Sequence, residues 1–124
     1  MIAGIGTDII EVSRVKKSIE TIDGFKEKIF SENEITYCES KRNKFEHYAA
    51  RFAAKEAYFK AIGTGWRHGL AFKEIEIAHD SLGKPIIILS GNAKDHAKRT
   101  GYTNRQISLS HIKETAVAVV ILEI

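Results

Sequence analysis

The stretch FEHYAARFAAKEAYFKAIGTG, residues 45–65, constrains this chain more than any other segment. Its alanines, aromatics and long polar side chains predict a helix from about Phe45 to Ile62, closed by Gly63 in the left-handed conformation. At about 100° per residue, Phe45, Ala49, Phe52, Ala53, Phe59 and Gly63 form an apolar stripe centred on Glu56. Arg51, Ala54 and Tyr58 fall on the opposite side. An ionised carboxylate buried without a partner costs several kcal/mol or more, so Glu56 is expected to be ion-paired, protonated or bound to a cation. Lys60, one turn later, offers an ordinary i,i+4 ion pair.

The remaining segments supply what such a helix packs against. The start, IAGIGTDII, alternates as a strand and puts Gly4, Gly6 and Asp8 on one face. Residues 11–22 repeat Val12, Val15, Ile19 and Ile22 at helical spacing, with Arg14, Lys16 and Lys17 outward. A short helical turn over 25–29 follows. SENE at 31–34 is a capping box and starts a helix that runs to about Arg42. EIEIAH and PIIIL, joined by HDSLGK, read as a hairpin. Residues 92–99 read as a helix closed by Gly101, and RQISLSH with TAVAVVILEI as a final strand pair. The fold class is α+β: a single domain over 1–124, with a largely antiparallel sheet and one long helix packed on it.

Asp8 is the second carboxylate of interest. Two glycines preceding it on one strand face imply that another backbone or a ligand comes close. Asp8 either caps the next helix or points from a bare strand face. Two carboxylates on separate elements, with positions left for water and phosphate, are what Mg²⁺ takes from a protein that binds it with a phosphate substrate. Lys60 beside them would meet a phosphoryl oxygen, and the set would suit phosphate-ester chemistry.

A pI near 9.0 and a formal charge of +3 suggest an anionic partner. Cys38 is the sole cysteine, which excludes an intrachain disulfide and leaves a bystander thiol. The apolar start lacks a basic n-region, and AVAVVIL is far below membrane-spanning length. The expectation is a soluble cytoplasmic protein without membrane or nucleic-acid partners. A chain this short gains core by association, so a homo-oligomer is expected.

GIGTDIIEV at 4–12, RFAAKEAYFKAIGTG at 51–65, LGKP at 82–85 and SLSH at 108–111 together resemble the 4′-phosphopantetheinyl transferase family, in particular its small members, the holo-acyl-carrier-protein synthases. The resemblance implies transfer of 4′-phosphopantetheine from coenzyme A to a serine of apo acyl carrier protein. Adenosine 3′,5′-bisphosphate is released, Mg²⁺ is required, and the activity serves fatty acid biosynthesis. It makes Asp8 and Glu56 the metal ligands, leaves the general base open between Glu56, Asp8 and a metal-bound water, and brings Lys60 to the pyrophosphate. It also implies a homotrimer with active sites between subunits.

Less specific positions keep two readings each. Arg51 and Lys55 are phosphate contacts or solvated charges on the outer face. Gly63 and Gly65 let backbone amides approach coenzyme A, or are a helix cap and a loop glycine. His111 is a coenzyme A contact or structural. Since the carrier implied is acidic, Arg14 and Lys17, with Lys26 and Lys28 soon after, are expected to dock it. A nucleic-acid-binding module and a non-catalytic scaffold with an internal Glu56–Lys60 pair are the alternatives. The first lacks any helix-turn-helix, zinc or aromatic-interleaved basic motif.

Overall fold

The computed structural model of the protein describes residues 1–63 and 69–124. The chain order is β1 (Ile2–Glu11), α1 (Val12–Thr21), α2 (Phe25–Ile29), α3 (Glu32–Glu39), α4 (Lys44–Ile62), β2 (Ile75–His79), β3 (Pro85–Leu89), α5 (Gly91–Thr100), β4 (Asn104–His111) and β5 (Thr115–Glu123). All strand pairing is antiparallel, in two sheets: β1-β5-β4 and the β2-β3 hairpin. The α+β class holds, and the hairpin forms its own small sheet.

α4 lies across the larger sheet, and glycine sets how closely. A Cβ on Gly4 would collide with the Ala61 carbonyl, and one on Gly6 with the Ala57 carbonyl. The backbone that the bare strand face anticipated is therefore α4 itself. Opposite Gly4, Gly6 and Asp8 in the register stand Leu122, Val120 and Ala118 of β5, all buried under the helix. At about 25 cal/mol per Å² of apolar area, this seam of small and branched side chains is the main attraction between helix and sheet.

α4 is buried nearly all round, which corrects the two-faced expectation. Ala54 and Tyr58, placed opposite the stripe, are fully buried, as are Arg51 and Lys55. Small sheets and short helices enclose it on several sides, so a helical wheel that assigns one inner face underestimates its burial. The buried charge is compensated. Lys55 Nζ lies 2.8 Å from Glu34 Oε1 and donates to the Phe72 and Ile75 carbonyls at 2.9 and 2.6 Å.

Glu34 is also the capping-box residue. Its Oε1 accepts the Ser31 N–H at 2.9 Å, Ser31 Oγ accepts the Glu34 N–H at 3.2 Å, and Oε2 accepts the Ile77 N–H at 2.9 Å. One carboxylate thus starts α3, receives Lys55 from α4 and pins β2. α3 stops at Glu39, short of the expected Arg42. Ile22 lies beyond the end of α1 and is exposed rather than on its inner stripe. In the hairpin turn, Asp80 Oδ1 accepts the Leu82 and Lys84 N–H groups, both at 2.9 Å. No helix of the described residues is long and apolar enough to cross a membrane.

Candidate active site

Asp8 sits within β1, paired with Ala118, three residues before the end of the strand at Glu11. Glu11 is the N-cap of α1 and makes no side-chain capping bond. Asp8 is therefore not a helix cap. It follows Gly6 on the strand face that meets α4, and the close approach bought by the glycines brings Lys60 to it. Lys60 Nζ donates to Asp8 Oδ1 at 3.0 Å and to the Thr7 carbonyl at 3.1 Å.

That geometry corrects the expected i,i+4 pair. Lys60 goes to Asp8, and among the described residues Glu56 has neither a hydrogen bond nor an ion pair. Burial pushes the Glu56 carboxyl above its ordinary value, the Asp8 charge pushes it further, and Lys60 pulls it partly back. Asp8 and Glu56 line one cavity of about 360 Å³ with Arg14, Ser18, Phe25 and Phe52. Two carboxylates, an ammonium and a guanidinium thus gather at the junction of β1, α1 and α4. A carboxyl displaced toward neutrality is suited to moving a proton, and a lysine held at the other carboxylate to meeting an anion.

The donor set also fits a hard divalent cation. Mg²⁺ takes one or two carboxylates and leaves other positions to water and phosphate oxygens. Glu56, uncompensated beside Asp8, is a carboxylate that such a cation would relieve. Among the described residues no cluster of three or more His, Cys, Asp or Glu side chains could hold a metal. A dedicated all-protein cage is not what these residues provide.

The other expected positions separate. Arg14 lines the carboxylate cavity, closer to the chemistry than an outer docking role required, and Lys17 is exposed one turn on. Lys26 is held by Glu39 at 3.5 Å, whereas Lys28 lines a different cavity with Leu70 and Phe72. Lys55 is no phosphate contact, because its ammonium is already shared among Glu34 and two carbonyls. Arg51 is not on an outer face: its guanidinium lies 4.2 Å over the Tyr37 ring, with Nη2 3.4 Å from His79 Nδ1.

Gly63 has φ 80° and caps α4, and nothing lies within 4 Å of where its Cβ would be. Its need for glycine is conformational. Gly65 lies outside the described residues. His111 Nδ1 is 2.9 Å from Glu46 Oε1, with the His47 ring centroid 5.1 Å away. This contact holds the Glu46 carboxyl below its usual range. Sequence reasoning missed Ser18, Phe25 and Phe52 as cavity walls. Their only signal was helical spacing on segments that meet at Asp8.

Known proteins with this architecture are numerous. The family profile of the 4′-phosphopantetheinyl transferase superfamily matches residues 4–120. Holo-[acyl-carrier-protein] synthase of Solibacter usitatus is 49% identical over 124 residues, covering 99% of this chain and 99% of that protein. The protein of the same name from Ruminiclostridium cellulolyticum is 52% identical over 122 residues, covering 97% of this chain and 91% of that one. Among solved structures, the holo-[acyl-carrier-protein] synthase of Neisseria meningitidis superposes with a TM-score of 0.90 at 34% identity, covering 99% of both chains. That of Bacillus anthracis, solved in complex with CoA (3′,5′-ADP), gives 0.81 at 43% identity, covering 98% of this chain and 96% of that one. With the profile spanning nearly the whole sequence, and relatives of this identity matching from end to end, the chain is a transferase enzyme and belongs to the 4′-phosphopantetheinyl transferase superfamily.

Proposed function

We propose that this protein transfers the 4′-phosphopantetheine group from coenzyme A to a serine hydroxyl of apo acyl carrier protein, releasing adenosine 3′,5′-bisphosphate, in support of fatty acid biosynthesis in the cytoplasm. The observation that carries this reading is the pairing of Lys60 with Asp8 beside an unpartnered Glu56 on one cavity, in a chain of this family.

Asp8 and Glu56 would hold Mg²⁺. When bound, the ion neutralises charge on the pyrophosphate oxygens and helps to order the reacting groups. Glu56, beside Asp8 on the cavity, would accept the serine proton, directly or through water. Lys60 is more than half exposed and has its ammonium at the mouth of the site, where it can meet an anionic oxygen as the phosphoanhydride breaks. Arg14, open on the same cavity, favours the approach of an acidic carrier, with Lys17 beside it.

A homotrimer with active sites between subunits is part of this proposal. The face of the larger sheet turned away from α4 carries Ile5 opposite Ile121 and Ile9 opposite Val117, and Ile5 and Ile9 are 64% and 69% exposed. Contiguous exposed apolar surface of this kind marks an interface.

The direct test is mass spectrometry of an apo acyl carrier protein incubated with the enzyme, coenzyme A and Mg²⁺. A mass gain of one phosphopantetheine, dependent on all three, is expected. An unmodified carrier would sink the assignment.

A further inference from the structure

β3 and β4 lie side by side without forming a ladder, since β3 pairs only with β2 and β4 only with β5. Over the gap runs α5, which links the two strands. The three elements line an open cavity of about 580 Å³ that shares no residue with the wall of the carboxylate site. Its volume falls within the range of about 300–1,000 Å³ that small ligands occupy.

Cations and apolar surface line it together. Lys94 and Lys98 stand one turn apart on α5, Arg105 faces them from β4, and no carboxylate is on the wall. Among the described residues neither lysine has an ion-pair partner, and Arg105 donates only a long bond of 3.5 Å, from Nη1 to the Tyr102 carbonyl. The apolar part comes from Ile87, Ala97 and Tyr102.

Two buried polar atoms lie behind this wall. Arg105 Nε and the Tyr58 hydroxyl are both cut off from solvent and without a hydrogen-bond partner. Tyr58 leaves α4 two residues after Glu56, about 200° further round the helix. Burial pushes its phenol up to about 12, and the neighbouring Arg105 charge pulls it back. Orphaned buried donors are uncommon, and each leaves a desolvation cost of about 1–3 kcal/mol unless something fills it. The cavity itself, with three cations and no carboxylate on its wall, calls for an anion.

We propose that the cavity between β3, α5 and β4 is a binding site for a small organic anion: a carboxylate or phosphate headgroup held by Arg105, Lys94 and Lys98, on an apolar body packed against Ile87, Ala97 and Tyr102. Inorganic phosphate satisfies the cations and leaves the apolar wall wet, so it is the weaker ligand. The proposal does not depend on the transferase reading.

Titration calorimetry with decanoate, decyl phosphate and inorganic phosphate, each below any micelle-forming concentration, tests it on the whole protein. Saturable binding of one or both decyl compounds is expected, at least about tenfold tighter than inorganic phosphate. The Lys94→Glu, Lys98→Glu double variant should weaken it by about tenfold or more. Both lysines are exposed, so the variant keeps the fold, and its transfer activity without added anion should be unchanged. The same titration followed by ¹⁵N NMR should move the Ala97 and Tyr102 amides and the Arg105 Nε–H. Which decyl compound binds identifies the headgroup. Failure of both to bind, phosphate binding as tightly as decyl phosphate, equal binding by the charge-reversed variant, or shifts confined to other surfaces would each overturn the proposal.

Discussion

Glu56 is the residue on which the proposed chemistry turns, and its environment dictates two separable outcomes. Glu56→Gln keeps the shape but removes the proton acceptor and weakens the metal ligand, so transfer should fall by about a hundredfold or more in a carrier-modification assay. Activity within about tenfold of the parent would remove Glu56 from the reaction. Stability should move the other way. Because folding raises the Glu56 carboxyl above its ordinary value of 4.5, its favourable contribution is complete below that value and is lost as pH rises through the raised one. The Gln variant should therefore melt higher than the parent at neutral pH, with the difference shrinking toward pH 4. Lys60→Ala is expected to lower kcat by about tenfold or more with little change in the carrier KM, because the leaving phosphate gains charge as the bond breaks. A change confined to the carrier KM would place Lys60 in docking instead.

Elements meet here through two devices, glycine contact and a buried ion pair, and they differ in how far the sequence revealed them. Gly6→Val should force β1 from α4 and cost several kcal/mol, with transfer lost in whatever protein remains folded, since the collision is with the Ala57 backbone rather than a movable side chain. Lys55→Met should cost about 3 kcal/mol or more by stranding Glu34, read as a lowered midpoint in denaturant. The glycine device was legible: bare positions two apart on a strand require a close neighbour, and α4 is that neighbour. The capping box and the end of α4 at Gly63 were legible too, because caps are encoded within a few residues. The ion-pair partners were not. Lys60 has a local partner in Glu56 and takes Asp8, 52 positions away; Lys55 takes Glu34 from another helix. Local spacing ranks neighbours along a helix and is silent on what the sheet brings across.

In the whole molecule, the proposed assembly would couple the uncovered sheet face to the site. Ile5→Glu with Ile9→Glu leaves the α4 face untouched but puts charge on the exposed apolar one. Light scattering should then report a monomer for the variant and the proposed trimer for the parent, and transfer should fall if sites form between subunits. A parent protein that is already monomeric would end the assembly proposal. The contact of β1 with α4 governs more than the fold. Gly4 and Gly6 stand against the Ala61 and Ala57 carbonyls, so a side chain at either would displace the helix that carries Glu56 and Lys60. The cavity itself is lined by side chains, Arg14, Ser18, Phe25 and Phe52 among them, whose size and polarity can vary. Change at those lining positions, by drift or by engineering, can alter what the cavity admits while the helix stays seated, and change at the glycines cannot.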